Sequence, residues 1–319
     1  MLCKISSYWT LAAVLALPMA LAQNATTQQV AAQEATPRVL VIGIDGCRPD
    51  ALKNAKTPNI DSLIQAGILF EGTDIRKPNA TDKADTISGP GWSNLLTGVW
   101  PDKHNVLGNQ FEEPNYERYP HMFARLKEAR PTAVTASFST WPAIEGNIVS
   151  AADVSRTFSD AEGYGGNDRA AAEACTEYLN TGDPDLVFCY QGNIDGSGHK
   201  HGFHPTVPEY ISAIETVDAN VGDLISAVKS RPNFEQENWL TIVCTDHGGK
   251  GTTHSNGVDV PEIRTTFLIV SGQSAKRGTS ADATWQVDVA PTALTHLNVA
   301  ISPEWGLDGH AVGLKKIGN

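Results

Sequence analysis

The sequence predicts an α/β fold: a doubly wound, mostly parallel central sheet with helices on both faces. Three observations predict it. Apolar runs of strand length alternate with longer stretches that show helical spacing. The first run, Val39-Leu40-Val41-Ile42-Gly43-Ile44, has no polar position, as expected of a strand buried on both faces of a parallel sheet. Carboxylates, imidazoles and glycines then gather just beyond the ends of such runs, where ligands sit in sheets of this kind.

The elements follow in order. Lys4, the apolar run Tyr8–Ala22 and the closing Ala20-Leu21-Ala22 before Gln23 have the layout of a secretory signal peptide over residues 1–22, short for a membrane span. Residues 23–36, rich in Gln, Ala and Thr without periodicity, read as a flexible leader. One catalytic-sized domain is expected over 37–319, secreted or periplasmic, with no membrane anchor after cleavage. After the first strand, Thr57-Pro58 opens a helix through Ile60, Leu63 and Ile64 that ends at Gly67. Further strands are expected at Ala133–Phe138, Leu186–Tyr190, Leu240–Cys244 and Thr266–Val270. Helices are expected near Met122–Ala129, Asp168–Leu179 and Tyr210–Lys229, the last opened by Thr206-Val207-Pro208-Glu209 as a capping box. A final helix follows Asp288 through Val289, Ala290 and Leu294.

Net charge is -12, which argues against binding to nucleic acid polymers. Small anionic substrates remain compatible where a site carries its own cations. Past the leader stand Cys47, Cys175, Cys189 and Cys244, an even set that permits disulfides; Cys189 and Cys244, inside apolar runs, equally suit buried thiols. No C-x-x-C spacing occurs, so a thiolate zinc site is not expected. Asn24-Ala25-Thr26 and Asn79-Ala80-Thr81 match the glycosylation acceptor pattern.

The stretch TISGPGWSNLLTG, Thr86 to Gly98, places Trp92, Leu95 and Leu96 at helical spacing, so a helix is expected to begin near Gly91. Ser88 stands just before it, either as an ordinary N-cap or as a nucleophile beside free backbone N–H groups. The strand ends supply its context: Asp45-Gly46 after the first, Asn193-Ile194-Asp195-Gly196-Ser197-Gly198-His199 after another, and Thr245-Asp246-His247-Gly248-Gly249 with His254 after a third. Asp195 and His199 lie four apart in what reads as a Gly-rich turn. Carboxylate with imidazole and no thiolate suits zinc or manganese. Six candidate ligands are enough for two divalent ions with open positions for substrate, the arrangement that clamps both oxygens of an in-line phosphoryl displacement.

On these residues the sequence resembles the alkaline phosphatase superfamily and, within it, the type I phosphodiesterase/nucleotide pyrophosphatase branch. The resemblance rests on Ile44-Asp45-Gly46-Cys47-Arg48-Pro49-Asp50, Ser88-Gly89-Pro90 with Leu96-Thr97-Gly98, Pro101-Asp102-Lys103-His104, Gly108-Asn109, Asp195-Gly196-Ser197-Gly198-His199 and Asp246-His247-Gly248. It implies that Asp45, Ser88, Asp246 and His247 hold one metal while Asp195, His199 and His254 hold the other. Ser88 takes the nucleophile position. Asn109 matches the asparagine that donates to a nonbridging phosphoryl oxygen. His310 is the fallback for His254, and His201 and His204 are candidates to line the pocket.

There are departures. The branch commonly has threonine where this chain has Ser88, serine being more typical of monoesterases. Sulfatase relatives need an arginine where this chain has Trp92. A phosphomonoesterase, the alternative, would need extra cationic contacts; Lys200 and Lys250 are candidates, but no arginine is placed by a motif. A metal-stabilised binding protein without turnover is a third reading.

Overall fold

The fold is taken from a computed structural model that describes residues 35–77, 80, 83–159 and 163–316, together with Ser7. The signal-peptide and leader spans and both glycosylation tripeptides lie outside the described residues, apart from Ser7, Ala35, Thr36 and Ala80. Among the described residues the strands are β1 (Thr36–Ile44), β2 (Gly67–Asp74), β3 (Thr135–Ser139), β4 (Val154–Thr157), β5 (Leu186–Gln191), β6 (Glu237–Cys244), β7 (Thr265–Gly272), β8 (Gly278–Ser280) and β9 (Thr284–Trp285). They form one sheet in the order β4-β3-β5-β1-β6-β7-β2-β8, with β9 also on β2. Every pairing is parallel except those of β7, which runs antiparallel to β6 and β2.

Alternation along the strands divides the core. Val39 and Val41 of β1 join one apolar cluster, with the helices Ser88–Thr97, Met122–Ala129 and Val289–His296. Leu40, Ile42 and Ile44 join the other, with Pro49–Asn54, Pro58–Ala66, Gly163–Thr181 and Pro208–Lys229. Each fully buried Leu or Ile contributes about 1.5–3 kcal/mol, so β1, closed on both faces, anchors the sheet. The doubly wound expectation holds.

Several local expectations are corrected. The helix expected near Gly91 begins at Ser88, with Ile87 in the cap position, so Ser88 is helical and its side chain makes no capping bond. Pro90 belongs to the first turn, where a missing N–H costs nothing. Thr206 forms no capping box: Val207 is the cap of Pro208–Lys229, and the Thr206 hydroxyl pairs with His204 Nδ1 at 2.8 Å. The Gly-rich turn is a helix, Asn193–His201. Its glycines are required by packing: a Cβ on Gly198 would lie 2.2 Å from the Phe203 ring. Strand β2 follows its helix with no loop, and β4, β8 and β9 are short; none of these was expected from the sequence.

Candidate active site at the strand ends

Strands β5, β1 and β6 are neighbours, so the three chemistry-bearing strand ends lie side by side at one edge of the sheet. Gly46 makes the turn beyond Asp45 with φ 67°, and a Cβ there would lie 2.8 Å from the Asp195 Cβ. Only glycine permits both the left-handed turn and this approach. On the other side Gly91 lets the helix Ser88–Thr97 close on Asp246, where a Cβ would stand 2.9 Å from the Asp246 Cβ.

Six predicted ligands meet here. His247 Nε2 lies 3.4 Å from Asp45 Oδ1 and 3.3 Å from Asp246 Oδ2. His254 Nε2 lies 3.4 Å from Asp195 Oδ1 and 2.9 Å from His199 Nε2, which is itself 3.4 Å from Asp195 Oδ2. Two groups of ligand atoms close enough for one ion each emerge, Asp45–Asp246–His247 and Asp195–His247–His254. His247 therefore stands between the two sets that the family resemblance separates. His199 is the most exposed of the six, its side chain 45% accessible.

The hydrogen bonds decide which atoms face inward. His247 Nδ1 pairs with the Gly248 carbonyl (2.8 Å), His254 Nδ1 with the Thr86 carbonyl (2.9 Å) and His199 Nδ1 with the Thr252 carbonyl (2.9 Å). A carbonyl only accepts, so each Nδ1 carries a proton. Burial pushes the pKa of His247 and His254 down, keeping those rings neutral with a bare lone pair on Nε2. Burial first, and then the Asp45 charge, push Asp195 and Asp246 well above the ordinary carboxylate range. Asp45 Oδ1, Asp195 Oδ1, Asp246 Oδ2 and His247 Nε2 are all buried without a hydrogen-bond partner. Four acceptors turned on one another need positive charge between them. The donor set fits divalent cations.

Side chains outside the predicted ligand set hold this arrangement. Asp45 Oδ2 accepts from Tyr190 OH (2.6 Å) and from Trp92 Nε1–H (2.9 Å). Trp92 is thus fully buried beneath the carboxylates. Asp168, buried, accepts from the N–H groups of Gly192 and Asn193, both at 2.8 Å, and from the Thr140 hydroxyl at 2.9 Å, setting the helix that carries Asp195 and His199. The signal for Tyr190 was its place at the end of a strand entering the site; for Asp168 there was none.

Ser88 lies one helical turn before Trp92, two residues past the Thr86 carbonyl that receives His254, and is buried. Asn109 Oδ1 accepts from the Gly89 N–H at 2.7 Å, which leaves its amide NH2 as the free end. The fallback His310 is not with the six: its Nδ1 is 3.2 Å from Asp288 Oδ1, and its side chain is 62% exposed. His201, His204 and Lys200 are exposed, and Lys250 pairs with Glu262 at 3.1 Å. Arg48 is spent on Asp50 and on the carbonyls of Phe203 and Gly249. The four described cysteines are buried and unbridged, in line with the thiol reading.

The family model for type I phosphodiesterase/nucleotide pyrophosphatase matches residues 39–266. The chain is 26% identical over 228 residues to an uncharacterized pyrophosphatase/phosphodiesterase of Schizosaccharomyces pombe, across 66% of this chain and 44% of that one. It is 25% identical over 232 residues to the human bis(5'-adenosyl)-triphosphatase ENPP4, across 66% and 47%. The chain therefore spans under half the length of these relatives. Among solved structures, murine ectonucleotide pyrophosphatase/phosphodiesterase 5 superposes with a TM-score of 0.62 at 16% identity, covering 83% of this chain and 96% of that one. A 2-O GAG sulfatase reaches 0.68 at 16% identity, covering 89% and 76%. These likenesses establish the shared α/β fold.

Proposed function

Because the chain belongs to the type I phosphodiesterase/nucleotide pyrophosphatase family, we propose that it hydrolyses phosphodiester or pyrophosphate bonds in small phosphate esters, using two divalent ions, zinc or manganese. The observation that carries this reading is the set of four buried, unpartnered acceptor atoms on Asp45, Asp195, Asp246 and His247. Asp45, Ser88, Asp246 and His247 would hold one ion, and Asp195, His199 and His254 the other. Once bound, the ions supply the positive charge that favours the Ser88 alkoxide and stabilises the leaving oxygen.

Ser88 Oγ attacks phosphorus, and the bond from phosphorus to the leaving oxygen breaks. Water then attacks the phosphoserine phosphorus, breaking its bond to Oγ and restoring Ser88. Asn109, its Oδ1 tied to the Gly89 N–H, offers its NH2 to a nonbridging oxygen. Buried Trp92, which donates to Asp45, stands where a sulfatase needs arginine. Arg48 and Lys250 are already paired, which leaves the exposed Lys200 as the candidate cation for a dianionic monoester. The relatives point to the substrate class: one is named a bis(5'-adenosyl)-triphosphatase, and an inactive variant of the murine protein was solved in complex with AMP. Export under a signal peptide over residues 1–22 belongs to the same proposal.

Metal analysis and matched nitrophenyl diester and monoester substrates test it. The expected result is close to two equivalents of metal and a diester kcat/KM above the monoester's. One ion or none, with occupancy unchanged by Asp195→Ala, refutes the metal assignment. A monoester preference of about tenfold, roughly 1.4 kcal/mol of transition-state stabilisation, makes the enzyme a phosphatase. No turnover of either, with metal bound, leaves a binding protein.

A further inference from the structure

The motif Pro101-Asp102-Lys103-His104 has no part in the chemistry above, yet His104 is fully buried on a polar path that joins three pieces of the site. His104 Nδ1 accepts from the Val106 N–H at 3.0 Å, so the ring proton is on Nε2, which donates to Asn94 Oδ1 at 2.9 Å. Asn94 Nδ2 donates to Gln286 Oε1 at 3.1 Å. Gln286 Nε2 donates onward to the main-chain carbonyls of Thr245 and Asp246. The path runs in one direction and gives each amide a single satisfying orientation. Burial holds the His104 pKa down to about 3, so the ring stays neutral and its tautomer constant.

The path's ends matter. Asn94 is on the helix that Ser88 begins. Val106 lies three residues before Asn109, and Thr245 and Asp246 lead into His247 at the end of β6. We infer that His104 is a positioning residue with two arms: through Val106 it sets the segment carrying Asn109, and through Asn94 and Gln286 it sets the β6 end carrying Asp246 and His247. Both arms are thereby referenced to the helix of Ser88. The inference rests on the proposed function, since it assigns His104 an effect on metal binding and on phosphoryl contact.

Two conservative variants cut one arm each. An asparagine amide reaches about as far as Nδ1, and a glutamine amide about as far as Nε2. His104→Asn therefore keeps the acceptor for Val106 and loses Asn94; His104→Gln keeps Asn94 and loses Val106. Metal affinity is measured by competition with a chromophoric chelator, and kcat and KM with a nitrophenyl diester at saturating metal. The expected pattern is a split. His104→Asn weakens metal binding about tenfold or more, and its lost turnover returns as metal is added. His104→Gln binds metal like the parent and loses about tenfold or more in kcat, which metal does not restore. Equal losses in both variants, or no loss in either, overturn the inference, because a merely structural histidine does not separate the two readouts. Unfolding of one variant alone leaves the other arm's readout to decide. The parent enzyme is assayed alongside: absence of metal or of diester turnover there refutes the proposed function itself.

Discussion

Replacing Tyr190 by Phe tests the support beneath the proposed metal centre. The Tyr190 hydroxyl donates to Asp45 Oδ2 at 2.6 Å, beside the Trp92 indole donor at 2.9 Å. Together they fix the carboxylate so that Oδ1 faces His247 Nε2 at 3.4 Å. Tyr190→Phe removes one donor and keeps the ring packing, including the edge contact with Trp92 at a 5.2 Å centroid distance. A buried hydrogen bond to an ionised group is worth about 1.5–3 kcal/mol. If that support is lost from the metal-bound state, affinity falls by about 10- to 100-fold. Competition with a chromophoric chelator reads the change. Tyr116→Phe is the control, since that hydroxyl lies 2.7 Å from Ser93 Oγ, away from the carboxylates, and its variant should bind metal unchanged. A folded Tyr190→Phe protein that binds metal within about threefold of the parent refutes the argument.

Four further outcomes are expected. Ser88→Ala should lower turnover by several orders of magnitude while costing at most about 1 kcal/mol of stability, since Ile87 and not Ser88 holds the cap position; near-parental turnover removes the nucleophile assignment. Chelation should destabilise the protein increasingly as pH rises above about 6.5: Asp195 and Asp246 have raised folded pKa values and lose stability with rising pH, whereas buried neutral His247 and His254 gain stability only up to their unfolded value of 6.5. The difference in Tm between metal-loaded and stripped protein should therefore widen as pH rises above about 6.5, and a narrowing gap contradicts this. Glu145, pushed up to about 7 chiefly by burial, contributes stability below 4.5 that is lost as pH rises through 7; Glu145→Gln should then stabilise by about 1–3 kcal/mol at pH 8 and by little at pH 5, as read by urea unfolding. Cys47, fully buried with its thiol pushed up chiefly by that burial, should resist alkylation in the native state, and Cys47→Ser should keep most turnover.

By itself the sequence determined the fold class, because burial on both faces leaves a mark on every position: Val39 to Ile44 has no polar residue, and the structure closes β1 from both sides. It also determined which side chains meet, since Asp45, Asp195, His199, Asp246, His247 and His254 follow strand ends or the loops from them, and parallel strands deliver their carboxyl ends to one edge. What it could not carry depends on partners distant in the chain. The direction of β7 is invisible in an apolar run, because burial on both faces is the same whichever way a strand points. The helix Asn193–His201 runs against the local propensity of its glycines; Asp168 accepts from the N–H groups at its start, and Phe203 packs where only a glycine fits at position 198. Only tertiary structure showed that Tyr190 and Trp92 converge on Asp45, and that His104 reaches Asp246 through Asn94 and Gln286. Hydrogen bonds between residues far apart in sequence have no period and no local spacing, so they become legible only when the sheet has brought their ends together.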